Sequence, residues 1–449
     1  MRKLLLLFTA LLLAVTLPAC DSFVGEVDDP ITSAGDETLN DPEQLPFAVT
    51  GAFVEFAETH DVLTLAADLL SDQFRFGTNG DATFPTYDNL DSGTPQLDGN
   101  TVDGVFAALG QYRFLADRLL ERADAVNEGQ GFDGAPISEA EVRFNANFHG
   151  GVARYWYAAY FGLNPREGGG VIDQSAFIPS ADMYDRARQK LETALGQANF
   201  EASGTVPTYG SSPAERQRMI NSLLARIEFN QGNYGEAAQF AENGLQDGDT
   251  PLVTRHNDQS ANEWYGNAGR GRVQVVAADD IVNANVPAPI VDVRSFIEVA
   301  NENPQELNRI PLVGVTQGAG FVDIDDPSAI EFAQDKYPDR SASAAVISWQ
   351  ENSLMLAEIA QRDGDSGTAL DLVNAVRASH DIDPLDSVDL PTIIAERDKE
   401  LFAEGARLLD QRRVDDSILP WHLPEQVGTQ QTWQFLPITQ QERNDNPNL

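Results

Sequence analysis

Leu224-Ala225-Arg226, then Gly232-Asn233-Tyr234, then Ala237-Ala238 sets a pattern that returns as Leu356-Ala357-Glu358, Gly364-Asp365 and Ala369-Leu370. In both copies alanine, glycine and alanine are spaced by seven and then five positions. Small side chains on two successive helices let the backbones approach closely, and the glycine between them supplies a positive-φ turn. Each copy alone could be a generic helical hairpin. Two copies in one chain predict a repeat architecture, in which each unit buries its apolar face against its neighbours.

Working outward from these hairpins, the predicted fold class is mainly α. Tetratricopeptide-like helix-turn-helix pairs form a helical scaffold, with a loop-rich insertion containing a little β. Asn40-Asp41-Pro42 reads as a helix start, and apolar spacing predicts two helices before residue 72. Residues 73–104 hold many Gly, Asp, Asn, Thr and Pro and read as a long loop. Helical patterning returns at 105–125, at 143–161 and, after a Ser180 cap, at 183–198. Between the two hairpins, residues 249–345 are rich in Pro, Gly and Asn. Their β-like runs are 273–276 and 290–293. So much irregular chain interrupts a plain solenoid, and long loops of this kind often carry function.

The N-terminus reads as a processing segment. Met1-Arg2-Lys3 is basic, 4–15 is apolar except for Thr9, and Leu17-Pro18-Ala19-Cys20 resembles a bacterial lipobox. The expected organisation is a signal peptide at 1–19, a lipidated acidic tether at 20–40, and a single domain at 41–449. The apolar stretch is shorter than the roughly 20 residues that a spanning helix needs. Cys20 is the only cysteine. Its lipidation would fix the chain to a membrane face and leave no thiol for a disulfide, a metal site or a nucleophile. The remaining chain is long enough to bury a large core unaided.

Asp and Glu total 70 against 30 Lys and Arg, for a formal net charge of −40. Lys3, Lys190, Lys336 and Lys399 are the only lysines. This balance opposes binding to nucleic acid and to anionic lipid head groups, which both need clustered positive charge. Scarce lysine with abundant aspartate also reads as adaptation to high salt, where self-repulsion is screened.

A further run is Ile393-Ile394-Ala395-Glu396-Arg397-Asp398-Lys399-Glu400-Leu401-Phe402-Ala403-Glu404-Gly405-Ala406-Arg407-Leu408-Leu409-Asp410-Gln411-Arg412-Arg413. The chain closes with Phe435-Leu436-Pro437-Ile438-Thr439-Gln440-Gln441-Glu442-Arg443-Asn444-Asp445-Asn446-Pro447-Asn448-Leu449. Together these resemble the C-terminal signature of the SusD/RagB family of nutrient-binding lipoproteins. Gln411 and Thr439 stand where that signature usually has Leu and Pro. The stretches 151–162, 183–195 and 347–377 resemble successive helices of the same family, so the likeness spans nearly the whole chain after the signal. The run 393–413 itself reads as one core helix whose charges clamp nearby loops, marking the fold and not a ligand site.

Among chemistry-bearing residues, His60, His149, His256, His380 and His422 lack zinc-ligand spacing. Neither a nucleophile elbow nor a Walker loop is present. Asp323, Asp325 and Asp326 lack the glycine and closing glutamate of a calcium loop. No catalytic residue, metal or cofactor is therefore expected. Aromatic residues in loops are the ligand candidates, because sugar rings and peptides pack on amphipathic aromatic faces. These are Trp264 and Tyr265 in the insertion, and Phe74, Phe76, Phe84 and Tyr87 in the long loop.

The resemblance implies a non-enzymatic, surface-exposed outer-membrane lipoprotein. It would capture an oligosaccharide or a peptide and cap a SusC-type TonB-dependent barrel. Two rivals are a helical-repeat scaffold that binds only proteins and a lipoprotein glycosidase.

Overall fold

The computed structural model describes residues 40–80, 85–278, 296–421 and 425–449. The expected signal peptide, nearly all of the tether with its Cys20, Phe84, the run 290–293 and His422 lie outside those residues. Among the described residues the helices are α1 Leu45–Leu70, α2 Pro85–Asp91, α3 Asn100–Glu128, α4 Glu139–Tyr160, α5 Ser180–Gln197, α6 Pro213–Asn230, α7 Tyr234–Ala241, α8 Glu263–Ala268, α9 Phe296–Glu302, α10 Trp349–Arg362, α11 Ser366–Ser379, α12 Leu390–Glu400, α13 Arg407–Arg413 and α14 Gln440–Asp445. None of the described helices is long and apolar enough to cross a membrane.

The architecture is the predicted one, mainly α with short strands. The helices pack in a continuous series, α1 on α3, α3 on α4, α4 on α5, α5 on α6, α6 on α7, α7 on α10, and α10 on both α11 and α12. The two repeated motifs are the hairpins α6–α7 and α10–α11. Gly232 and Gly364 take φ +77° and +86°. Around Gly232, Asn233 N–H donates to Glu228 O and Gly232 N–H to Phe229 O, at 2.9 and 3.0 Å. Around Gly364, Asp365 and Gly364 donate to Ala360 O and Gln361 O, at 2.8 and 3.1 Å. Both helices thus end in the same paired-bond cap, which satisfies carbonyls the helix leaves open. Ala225, Ala237, Ala357 and Ala369 are fully buried. Glycine also sets the α4–α5 spacing: a Cβ on Gly151 would lie 2.7 Å from Leu191 Cγ.

The core runs along this series. Phe56 of α1 stacks on Trp156 of α4 at 5.5 Å between centroids, and Tyr112 of α3 donates to or accepts from His149 Nδ1 at 2.9 Å. Burial drives the His149 imidazole down to about 3, so it is neutral there.

Four local expectations differ. Residues 45–70 form one helix, because no breaker interrupts their buried face. The stretch 73–104 is not all loop, since it holds strand Phe74–Phe76, α2 and the first turn of α3. Ser180 does not cap α5; Pro179 occupies that position, and Ser180 Oγ donates to Ala158 O at 2.8 Å, joining α5 to the end of α4. The run 393–413 is two helices and not one. Between them Ala403 and Gly405 take φ +60° and +73°. That turn is held from outside: Gly405 N–H donates to Asp68 Oδ2 (2.9 Å), Ala403 N–H to Gln73 Oε1 (2.8 Å), and Lys336 Nζ to Phe402 O (2.9 Å).

The insertion supplies a three-stranded antiparallel sheet in the order Phe321–Val322, Leu312–Val315, Glu331–Gln334. Its β content was only partly legible: the run 273–276 corresponds to strand Val275–Ala277. The closing segment adds Leu436–Pro437 in parallel to Phe161–Gly162. Thr439, where the family signature usually has Pro, caps α14 by accepting from Glu442 N–H at 3.3 Å.

Candidate functional site

Tertiary structure brings the two candidate loop regions together. Strand Phe74–Phe76 runs antiparallel to Val275–Ala277, with Phe76 opposite Val275 and Phe74 opposite Ala277. Gly77 N–H donates to Gln274 O at 2.8 Å. Arg75 reaches Glu331 of the insertion sheet at 2.8 Å, and the same carboxylate accepts from Thr78 N–H and Thr78 Oγ1 at 2.7 Å each. Asn79 donates to Thr316 O at 3.1 Å. The loop after α1 is therefore pinned to the insertion by backbone and charge-assisted hydrogen bonds, the stronger class.

Of the aromatic candidates, Phe76, Tyr265 and Tyr87 are half-buried around this seam. A Cβ on Gly80 would lie 2.4 Å from the Phe76 ring, so Gly80 covers one face of that ring. A Cβ on Gly271 would lie 2.8 Å from the Tyr265 ring, which is backed in the same way. Burial, then the charge of Glu263, pushes the Tyr87 phenol up to about 12, with Arg272 opposing. Its hydroxyl stays protonated at neutral pH.

Trp264 and Phe74 are corrected. Both are fully buried. Trp264 Nε1 donates to Thr64 Oγ1 of α1 at 3.0 Å, and its ring packs on Phe74 (5.0 Å between centroids) and Tyr337 (6.1 Å). Phe74 also stacks on Phe402 at 5.2 Å. These rings weld the insertion to α1 and to the α12–α13 turn, and neither has a face free for a ligand.

The seam also holds residues that sequence reading passed over. Arg270 makes a two-bond pair with Asp335 (2.6 and 2.8 Å) while lying over the half-buried Phe321 ring at 5.5 Å. Phe321 was findable as an aromatic residue in the insertion. The Arg270–Asp335 pair was not, because its partners are distant in sequence. Beneath Tyr265, α8 rests on the buried Asp61 carboxylate. It accepts from Glu263 N–H at 3.1 Å and lies 3.2 Å from His256 Nε2. Burial alone would raise the Asp61 carboxyl, but hydrogen bonds from His256 and His60 outweigh it and hold the group below its ordinary value. A second carboxylate, Glu263, is pushed up by burial and then by Asp61. Chemically the seam offers partly exposed aromatic faces for stacking and a paired cation and anion that can donate to and accept from hydroxyls or amides.

The charged residues of the C-terminal signature point inward instead. Glu396 accepts from Arg309 (2.7 Å) and Arg377 (3.0 Å) and also pairs with Lys399. Asp410 joins Arg397 (3.2 Å) to Arg413 (2.7 Å), and Arg413 continues to Glu358 of α10 at 2.6 and 2.8 Å. Arg397 and Arg413 both lie over the Phe229 ring of α6, at 5.0 and 4.1 Å. The signature thus binds α12 and α13 to both repeat hairpins, a clamp on helices where the sequence predicts one on nearby loops.

No family model and no curated protein sequence matches the chain. Solved structures do. A SusD superfamily protein from Bacteroides thetaiotaomicron is similar with a TM-score of 0.64 at 15% identity, covering 91% of this chain and 98% of the other. The surface glycan-binding protein A from Bacteroides uniformis gives 0.61 at 15% identity, with coverage of 91% and 98%. A structure solved with xylogluco-oligosaccharide gives 0.60 at 13% identity, covering 84% of each chain. From α1 to α14, this chain has the SusD-like fold.

Proposed function

We propose that this protein is the substrate-binding lipoprotein of a SusC/SusD-type TonB-dependent nutrient uptake system. It captures an oligosaccharide, or a peptide, at the seam between the loop after α1 and the insertion. It belongs with the SusD/RagB family and is not an enzyme. Cys20 carries the lipid, the chain stands on the outer face of the outer membrane, and it caps a SusC-type barrel that imports the cargo. The observation that carries this reading is the SusD-like fold shared over nearly the full length of structures described as glycan-binding. The half-buried rings of Phe76, Tyr265 and Phe321 support a stacking site.

The test is calorimetry of the purified protein against panels of neutral oligosaccharides and of short peptides, with the double variant Tyr265→Ala, Phe321→Ala. Saturable binding to one class is expected, weakened at least about tenfold in the variant, since stacked rings contribute on the order of 1 kcal/mol each beyond area burial. Absence of saturable binding in both panels would overturn capture. Protease shaving of intact cells checks the location, and complete protection would contradict surface exposure.

A further inference from the structure

A cavity of about 340 Å³ opens on elements separate from that seam. Its walls are α3, Tyr157 of α4, the turn at Asp173 and Gln174, and α14. Tyr157 is only 2% exposed, yet its hydroxyl hydrogen-bonds to no described residue. That hydroxyl lies 3.7 Å from where a Cβ on Gly110 would stand, so the glycine leaves room before it. Asp103 Oδ1, on the same cavity, is buried without a partner. A buried acceptor without a partner costs free energy and calls for one. Burial, then the neighbouring Asp98, pushes the Asp103 carboxyl above its ordinary value, as befits an acceptor without a counter-charge.

The sign of the missing partner follows from the lining. Asp103, Asp173, Glu442 and Asp445 face one cation, Arg113. That cation is already committed to Asp117 (3.2 Å) and Asp173 (2.8 Å). Asp173 and Gln174 adopt φ +50° and +55°, two successive left-handed non-glycine residues of the kind that clusters at ligand sites. An anionic ligand would meet net repulsion from these four carboxylates. Among the described residues no group of three or more His, Cys, Asp or Glu is placed to hold a metal ion. Phe106 and Val171 supply an apolar side to the cavity. We propose that this cavity binds an organic cation, a primary ammonium or guanidinium on a short apolar stem, whose N–H groups donate to Tyr157 Oη, Asp103 and Glu442. Two sources supply such a cation, a free diamine and a basic side chain of a partner protein.

Calorimetry in about 0.5 M NaCl, where the Debye length of a few ångströms suppresses diffuse attraction to the acidic surface, tests this on the purified protein. The probes are agmatine, a lysine-terminated peptide and a neutral disaccharide. Agmatine or the peptide should bind at one site, and whichever binds more tightly identifies the source. Glu442→Gln should weaken that binding about tenfold or more, as expected for one charged hydrogen bond. Tyr157→Phe should weaken it by a smaller factor with an unchanged melting temperature, because it removes a hydroxyl that bonds to nothing in the fold. Asp325→Asn, an exposed carboxylate elsewhere, should change nothing. Failure of both cations to bind, or weakening equal in Asp325→Asn and Glu442→Gln, would overturn the proposal. So would disaccharide binding that Glu442→Gln weakens, because the cavity would then take a neutral ligand. None of these results bears on capture at the aromatic seam.

Discussion

Glu396 shows what a buried charge in this chain does. Burial alone would raise its carboxyl, but Arg309, Lys399 and Arg377 outweigh burial and hold it at about 2, below the 4.5 of an unfolded glutamate. The folded state therefore binds that proton more weakly than the unfolded chain. Its contribution is present above about pH 4.5 and is lost as pH falls toward 2. Glu396→Gln should cost about 3 kcal/mol at neutral pH, the usual penalty for stranding buried guanidinium partners. It should also flatten the acid limb of a melting temperature against pH profile; an unchanged limb would refute this. Asp68 has the opposite sign. Burial above all holds its carboxyl well above the ordinary value, and the Gly405 amide only partly offsets that. Its folded state favours the proton, so stability is lost as pH rises, and Asp68→Asn should be tolerated with a gain that grows toward alkaline pH.

Elements are set by two kinds of glycine, and these predict different costs. A Cβ on Gly364 would meet nothing within 4 Å, so Gly364→Ala loses only the left-handed backbone preference, about 1 kcal/mol. Gly151 is helical but lies against Leu191, so Gly151→Val should cost about 3 kcal/mol by forcing α4 and α5 apart. Denaturant midpoints with unchanged slopes check both, and a larger loss for Gly364→Ala would contradict the packing account. The turn glycine was legible in sequence because its role depends on the residues beside it. The helix break at 401–406 was not. Its cause lies in Asp68, Gln73 and Lys336, which a reading of 393–413 alone does not see.

At the scale of the whole molecule, charge dominates. A formal net charge of −40 makes the folded chain repel itself, and salt screens that repulsion. The melting temperature should rise as NaCl increases from about 0.1 to about 3 M, and a flat or falling curve would remove adaptation to high salt as an explanation. Packing limits the contrary pull, because buried acids such as Glu396 and Asp410 are already paired with arginine inside the scaffold. The same scale decides the candidate seam, since its two halves meet only when the insertion folds back onto α1.

Sequence by itself determined the hairpins, the acidic balance and the signature that ties the last helices to the rest. These rest on neighbouring residues: a glycine that can turn, alanines that admit a close helix, and charges whose number needs no geometry. Only tertiary structure decided which aromatic rings stay available. Trp264 and Tyr265 are adjacent, yet one ring is sealed between Phe74 and Tyr337 while the other remains partly open. Burial depends on which distant surface arrives, and α1, with Thr64 bonding the Trp264 indole, arrives on one side only.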